Sequence, residues 1–219
     1  MDVSTIRARA KRQLNEPTGT DEGLWDDDDY LNAMNEAQDD FALATKCLKT
    51  YADFTTADDT SLYDMSEDSL SNFIDIAQVR YYTDDDVYRV LRRLSRDELS
   101  MHQSEREDVT ADPYFYCYED RTIEFEHDTN ADDTVRVYYY KLPAEMDDDA
   151  DVSDIPTKFH QALLMYVCWK FAEADDLDAQ RTGYFKMEYE RWIQRAKMVL
   201  NPAGSSYGAM KDDTRVPYV

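Results

Sequence analysis

Residues 145–171 read EMDDDADVSDIPTKFHQALLMYVCWKF, and the hydrophobic period changes within them. Up to Lys141 apolar residues alternate with polar ones, as in a half-buried strand. From Phe159 onward they recur every three or four residues, as in a helix. Pro156 stands just inside the predicted helix start, where its missing N–H costs least. Phe159, Leu163, Tyr166, Val167 and Phe171 define the predicted buried face. The acidic run EMDDDADVSD reads as a linker between a β-rich region and a helical one.

Upstream of that switch, the sequence from Tyr51 to Leu142 is strand-like. TVRVYYY, TIEFE and YFYCY read as three strands, with TNADD linking the first two of these. In TIEFE, Thr122, Glu124 and Glu126 are expected to face away from Ile123 and Phe125. Ser95-Arg96-Asp97-Glu98 is a capping box opening a short helix towards Met101. Phe73, Ile74, Ile76, Val79, Tyr81 and Tyr82 form an earlier β run. Thr83-Asp84-Asp85-Asp86 turns it into a return strand carrying Val87, Val90 and Leu91.

Helical period also governs the first fifty residues. A helix from Ser4, its predicted cap, to Leu14 aligns Ile6, Ala10 and Leu14. Pro17, Gly19 and Gly23 then break it. A longer helix begins within residues 26–29, whose carboxylates suit its positive N-terminal end, and ends near Lys49. Leu31, Met34, Ala37, Phe41, Ala44 and Leu48 form its stripe, with Asn32, Asn35, Gln38 and Asp39 mostly off it. Downstream, a closing helix presents Tyr184, Met187, Trp192, Ala196 and Val199 and stops at Asn201-Pro202. AGSSYGAMKDDTRVPYV, without helical period, reads as an extended arm. The expected fold class is α+β, with an α-helical bundle built from N- and C-terminal helices (1–50 and 143–200). An antiparallel β-rich region (51–142) is inserted between them, and an extended C-terminal arm (201–219) follows.

Composition narrows the function. The 48 acids, 34 Asp and 14 Glu, against 24 bases give a net charge of −24. Hydrophobic residues at 42 % and aromatics at 13 % still supply a core, which excludes an acidic disordered chain. Duplex coating through a basic face is disfavoured, because it depends on Lys and Arg replacing phosphate counterions. No run approaches a membrane span, and MDVSTIRARAKRQL lacks the apolar core of a secretory signal. Short acidic clusters scattered along the whole chain suit a solvated, repelling surface more than a phosphate-like track. Molar salt shortens the screening length to about 3 Å, so adaptation to a salt-loving host is expected, with nucleic-acid mimicry as the alternative.

Catalytic signatures are missing from the motifs. None of the five glycines opens a nucleotide-binding loop. The Asp128, Asn130, Asp132 series starts like a calcium loop, but Asp133 replaces its glycine and Tyr139 its bidentate Glu. His102, His127 and His160 lack metal-ligand spacing, and Cys47, Cys117 and Cys168 form neither a disulfide framework nor a zinc pair. Carboxylate pairs also serve two-metal nucleases, yet 48 acids produce such pairs without selection for metal. No cofactor is expected. The 17 tyrosines, dense at 114–118 and 138–140, suit either subunit contacts or a sheet of β-formers.

The order of segments resembles the head–tail adaptor (connector, or head-completion) proteins of tailed double-stranded DNA viruses. LWDDDDYLNAMNEAQDDFA is similar to the family's Trp-Asp-Asp-Leu helix opening with an Asn-x-Ala-Gln core. LYDMSEDSLSNFIDIAQVRYY with VYRVLRRLSRDELSM resembles its strand pair and capped helix. TIEFE with VRVYYYKLP, DIPTKFHQALLMYVCWKFAEADD and YFKMEYERWIQRAK resemble its second hairpin and last two helices. The likeness covers residues 3–200, and lacks the family's Pro after Met65. It implies a non-enzymatic virion protein, present in the host cytoplasm during assembly and then at the head–tail junction. Its implied form is a dodecameric ring beneath the portal protein, contacting identical neighbours, the downstream neck or tail protein and passing genomic DNA. By position in the family's tail, Tyr207, Met210, Arg215, Val216 and Tyr218 are implied to engage the portal. Another neck or tail subunit is the alternative, followed by a metal-dependent nuclease or a DNA mimic.

Overall fold

The computed structural model describes residues 1–16, 24–65, 70–84, 87–104, 110–174 and 179–200. The elements in chain order are α1 (Val3–Leu14), α2 (Asp27–Thr45), β1 (Lys49–Thr55), β2 (Thr60–Asp64), β3 (Phe73–Asp84) and β4 (Val87–Arg93). There follow α3 (Arg96–Ser104), β5 (Phe115–Glu119), β6 (Thr122–Thr129), β7 (Thr134–Lys141), α4 (His160–Ala174) and α5 (Ala179–Leu200). The architecture is α+β. Two compact units divide the chain: residues 1–47 together with the chain from 146 onward, and residues 48–145.

In the helical unit, α4 is the central element. Ten of its fifteen residues are buried, because α1, α2 and α5 all pack on it. The predicted face of Leu163, Tyr166, Val167 and Phe171 is buried, and so are Ala162, Leu164, Met165, Cys168 and Ala172 on its other sides. Trp25 stacks on Phe171 at 4.7 Å, and Tyr30 meets the same ring edge-on at 4.6 Å. The α2 N-terminus is fixed by a capping box: Asp29 N–H donates to the Asp26 side chain and Asp26 N–H to the Asp29 side chain. Its buried face is Tyr30, Ala33, Met34, Ala37, Gln38, Phe41, Ala42 and Thr45. That face is rotated from the Leu31–Ala44 stripe and takes in a glutamine the sequence placed outside. The helix ends at Thr45 rather than Lys49, because Lys46 adopts a left-handed conformation (φ 50°).

The glutamine is buried because it works with Asn35. Asn35 Nδ2 donates to Met146 O at 2.9 Å, and Met146 N–H donates to Asn35 Oδ1 at 2.9 Å. Gln38 Nε2 donates to Asn35 Oδ1 at 3.1 Å, while Ser153 Oγ donates to Gln38 Oε1 at 2.8 Å. The chain returning from the β unit is thereby clamped to α2. The same return segment holds α1. Val3 N–H donates to Asp151 O and Ser4 N–H to Asp149 O, both at 3.1 Å, satisfying amides that have no partner inside the helix. Arg7 makes two bonds to the Asp149 carboxylate, at 2.9 and 2.6 Å, and the Asp151 carboxylate accepts from Asp147 and Asp148 N–H at 2.9 Å. The acidic run is thus an ordered part of the helical unit. The cap of α1 is Asp2, whose side chain accepts from Thr5 N–H at 2.7 Å, in place of the expected Ser4.

On α5 the buried residues are Phe185, Tyr189 and Ala196. Tyr184, Met187 and Val199, expected inside, are at least half exposed. The helix is oriented by Tyr189, which meets Tyr166 edge-on at 5.1 Å and donates its hydroxyl hydrogen to Asp40. Tyr184 and Met187 then fall on the opposite side.

The second unit is a curled seven-stranded sheet of order β1-β7-β3-β4-β5-β6-β2. Every strand pair is antiparallel except β4–β5, where Arg92 and Arg93 pair in parallel with Phe115 and Tyr116. The sheet is therefore mixed, which corrects the antiparallel expectation. Its cause is α3: the helix follows β4 directly, and the chain re-enters beside the last residues of β4, with Phe115 opposite Arg92, running in the same direction. Ser95 and Glu98 do cap α3, with Ser95 N–H donating to Glu98 Oε2 at 3.0 Å and Glu98 N–H to Ser95 Oγ at 3.3 Å. Edge strands β1 and β2 are consecutive in the chain, and Phe54 meets Tyr63 at 5.0 Å between ring centres. Bulges in the β3–β7, β3–β4 and β2–β6 ladders supply the bending. Ile76, Val79, Tyr81, Leu91, Tyr116, Ile123, Phe125, Val135, Val137 and Tyr139 fill the interior. Glu126 departs from the expected alternation and is buried. Its Oε1 accepts from Tyr114 N–H at 2.6 Å, because residues 112–114 pass over that end of β6.

The arm at 201–219 lies outside the described residues.

His160 provides a pH-sensitive element of the helical unit. Only 1 % of it is exposed; Nε2 donates to Ile155 O at 2.7 Å and Nδ1 accepts from the Met1 ammonium at 2.6 Å. Burial first, and the adjacent ammonium second, hold its pKa below the ordinary 6.5. The unfolded chain takes up that proton before the folded one, so His160's contribution is complete above about pH 6.5 and declines as pH falls. Between pH 7 and pH 5 the urea midpoint of the wild type should fall more steeply than that of His160→Gln. Parallel slopes would contradict this account.

Candidate interaction surfaces

Strands β1, β7, β3 and β4 each turn alternate side chains away from the sheet interior. Register aligns those outward residues across the sheet. Lys49 lies opposite Tyr140, Tyr51 opposite Tyr138 and Asp53 opposite Arg136. On the other side of β7, Tyr138 faces Gln78 and Arg136 faces Arg80. Arg80 then faces Val90, and Tyr82 faces Tyr88.

Cations and rings interleave on this face. The Arg80 guanidinium lies 4.5 Å from the Tyr88 ring centre and 4.7 Å from that of Tyr138, and Lys49 Nζ lies 5.2 Å from the Tyr138 ring centre. Arg136 lies 4.5 Å from Tyr51 and 5.4 Å from Tyr82. Tyr51 meets Tyr138 at 5.8 Å, and Tyr82 meets Tyr88 at 5.4 Å. Asp53 grips Arg136 through two bonds of 2.7 Å, and that hydrogen bonding keeps the guanidinium more firmly protonated than usual. Arg93 holds Asp75 at 3.3 Å. Arg80 donates from Nε to Gln78 Oε1 at 3.0 Å, and both it and Lys49 take aromatic rings as neighbours. The contacts pre-order long side chains that would otherwise lose rotamer freedom on binding. Tyr51 is 54 % exposed and Tyr88 47 %, so the lattice lies open to an incoming surface.

Two further surfaces belong to the helical unit. Along α2, Asp28, Asn32, Glu36 and Asp40 are exposed at four-residue spacing, and the helix contains no Lys or Arg. Along α5, Tyr184, Met187, Met198 and Val199 are exposed beside Lys186, Arg191, Arg195 and Lys197.

Catalytic geometry is sparse by comparison. A groove of about 410 Å³ in the β unit is lined by Met65, Leu70, Ser71, Asn72, Phe73, Tyr118, Arg121 and Leu142. Among the described residues that lining holds no carboxylate, thiol or imidazole to move a proton. Among the described residues no group of three or more His, Cys, Asp or Glu side chains is placed to hold a metal ion. The residues expected to engage a portal, Tyr207, Met210, Arg215, Val216 and Tyr218, lie outside the described residues. Sequence reading missed the Arg/Tyr lattice, although its signal is period-two: Lys49-x-Tyr51-x-Asp53, Arg80-x-Tyr82 and Arg136-x-Tyr138-x-Tyr140. It also left two readings of the tyrosine excess open, and the alternation divides the residues. Tyr81, Tyr116 and Tyr139 are core; Tyr51, Tyr82, Tyr88 and Tyr138 join the outer lattice.

Residues 1–210 match a family model described as SU10 adaptor protein. No curated protein matches the chain.

The thiols are poor nucleophiles. All three are free, and burial is the leading cause that raises each pKa, for Cys168 to about 12. Reactive cysteines need thiolate and access. At pH 7.5 iodoacetamide should label Cys117 and Cys168 at least tenfold more slowly in the folded chain than in urea, read by intact mass. Equal rates would refute the burial assigned here.

Proposed function

The chain belongs to the SU10 adaptor family, a family of structural proteins of tailed-phage virions, and from that membership we propose that it is a head–tail adaptor. The match over residues 1–210 carries this reading. In it, identical subunits form a dodecameric ring beneath the portal, surround the DNA channel and present a platform to the next neck or tail protein. The ring is assembled in the host cytoplasm and retained in the virion. Its work is mechanical, by holding partners, and involves no reaction. A helical unit closed by aromatic packing suits a rigid wall, and a net charge of −24 suits a channel that repels DNA phosphates during packaging and ejection. The tail residues Tyr207, Met210, Arg215, Val216 and Tyr218 engage the portal, gaining aromatic burial there. The acid surplus fits a salt-loving host.

Cryogenic imaging of the virion neck tests the reading. Density for this chain as a twelvefold ring between portal and tail supports it; density elsewhere in the particle, or none, overturns it. Truncation after Pro202 should weaken portal attachment at least tenfold with unchanged circular dichroism, and undiminished attachment would remove the tail's role. The thermal midpoint should rise steadily with salt, and full stability in dilute buffer would count against the host assignment.

A further inference from the structure

We propose that the Arg/Tyr face of the sheet is one half of the contact between neighbouring copies, and that the acidic stripe of α2 in the next copy is the other half. The inference rests on the adaptor reading and deepens it by naming the surfaces that close the ring.

Charge decides the occupant. In a chain of net charge −24, a four-strand face carrying Lys49, Arg80 and Arg136 against Asp53 and Asp75 is a local reversal of sign. Its natural partner is acidic, and the chain itself supplies one. The segment Asp27–Thr45 has six carboxylates and no cation, with Asp28, Glu36 and Asp40 aligned on the exposed side. A ring requires this kind of unlike pairing. A heterologous contact joins two different patches, so each copy must carry both, and the rotation between them closes the circle.

Composition also fits a contact centre. Tyr and Arg are the residues most often dominant in protein interfaces, and here each Arg is already held over a ring before a partner arrives. Arg80 matters most because its guanidinium is flanked by Tyr88 and Tyr138 and fixed by an Nε–H bond to Gln78 Oε1 at 3.0 Å, which leaves its two terminal nitrogens, among the described residues, for an incoming carboxylate. Arg136 is already occupied by Asp53 and serves mainly to order Tyr51 and Tyr82. Along α2, the four-residue steps from Asp28 through Asn32 to Glu36 place successive polar groups about 6 Å apart. Alternate positions along a strand are spaced nearly the same, about 7 Å apart. Nucleic acid, the other polyanion a cationic aromatic face attracts, is the competing occupant.

The test is a charge exchange on the full-length chain at one fixed ionic strength, because salt alters both the pairing and the overall repulsion. Sedimentation velocity measures the concentration at which half the chain is assembled. Lys49→Glu/Arg80→Glu should raise that concentration at least tenfold, and Asp28→Lys/Glu36→Lys likewise. The chain carrying all four changes should return to within about threefold of wild type, since its reversed faces again match. Arg80→Gln, which removes the charge without reversing it, should give an intermediate shift, with circular dichroism confirming the fold of each variant. Singly reversed chains that assemble like wild type would overturn the proposal, as would no recovery in the fourfold variant or a wild type that never self-associates. A wild type that binds a short DNA duplex through Arg80 without Arg80 affecting assembly would assign the face to nucleic acid instead. Virion rings built normally from Arg80→Glu chains would defeat this contact and leave the adaptor reading intact. Absence of the chain from virions would defeat the adaptor reading itself.

Discussion

The helical unit depends on a bond between one side-chain amide and one backbone peptide. Its helices come from two stretches separated by nearly a hundred residues, and an insertion of that length imposes a loop-closure cost that grows only slowly with length. The Asn35 amide offers a donor and an acceptor in one plane, and Met146 presents the matching carbonyl and N–H. Gln38 and Ser153 extend the contact, and Met146 and Ser153 are buried around it. The Ser153–Gln38 bond is buried and the Asn35 bonds partly so, and hydrogen bonds taken out of water are strengthened by low local dielectric and costly to leave half made. The returning chain then supplies the carbonyls that cap α1 and the carboxylate that holds Arg7. Without the clamp, α1 loses its anchoring backbone and α4 loses its lead-in.

This constraint also explains what sequence could and could not reveal. Elements with strong local signals were legible: the carboxylates opening α2, the Ser95–Glu98 box, the alternating strands after residue 114, and the switch to helical period near Phe159, although Pro156 stands as the cap of a 3-10 turn (Thr157–Phe159) ahead of α4 rather than inside the helix. Residues whose role is set by distant chain were not. Asn35 and Gln38 looked like solvent-facing polar positions; Gln38 is buried and Asn35 half-buried because each has a partner more than a hundred residues away. The acidic run at 145–154 looked like a linker because its Asp side chains are mostly solvated, whereas its backbone carries the order. Strands β1 and β2 were covered only by a general β-rich reading, since KTYADFT and TSLYD are short and take their places from Phe54–Tyr63 and the β7 and β6 ladders. The parallel β4–β5 pair required knowing that α3 acts as a crossover.

The candidate surface was half legible for a related reason. Tyrosine excess signalled contact area, but only strand register shows which rings share a face with arginine. Once register is known, the acidic bulk composition and the Arg/Tyr lattice become parts of one arrangement. Repulsion spread over the surface discourages indiscriminate association, and a reversed patch with ordered side chains gives one permitted mode. A protein that works by holding neighbours needs both.

The clamp is tested most directly by hydrogen exchange in Asn35→Ala. The account predicts that amides of residues 146–155 and of the first turn of α1 lose protection by an order of magnitude or more. The removed bonds correspond to about 1–3 kcal/mol, while the strands of the 48–145 unit keep theirs. Unchanged protection at Met146 and Val3 in that variant would contradict it.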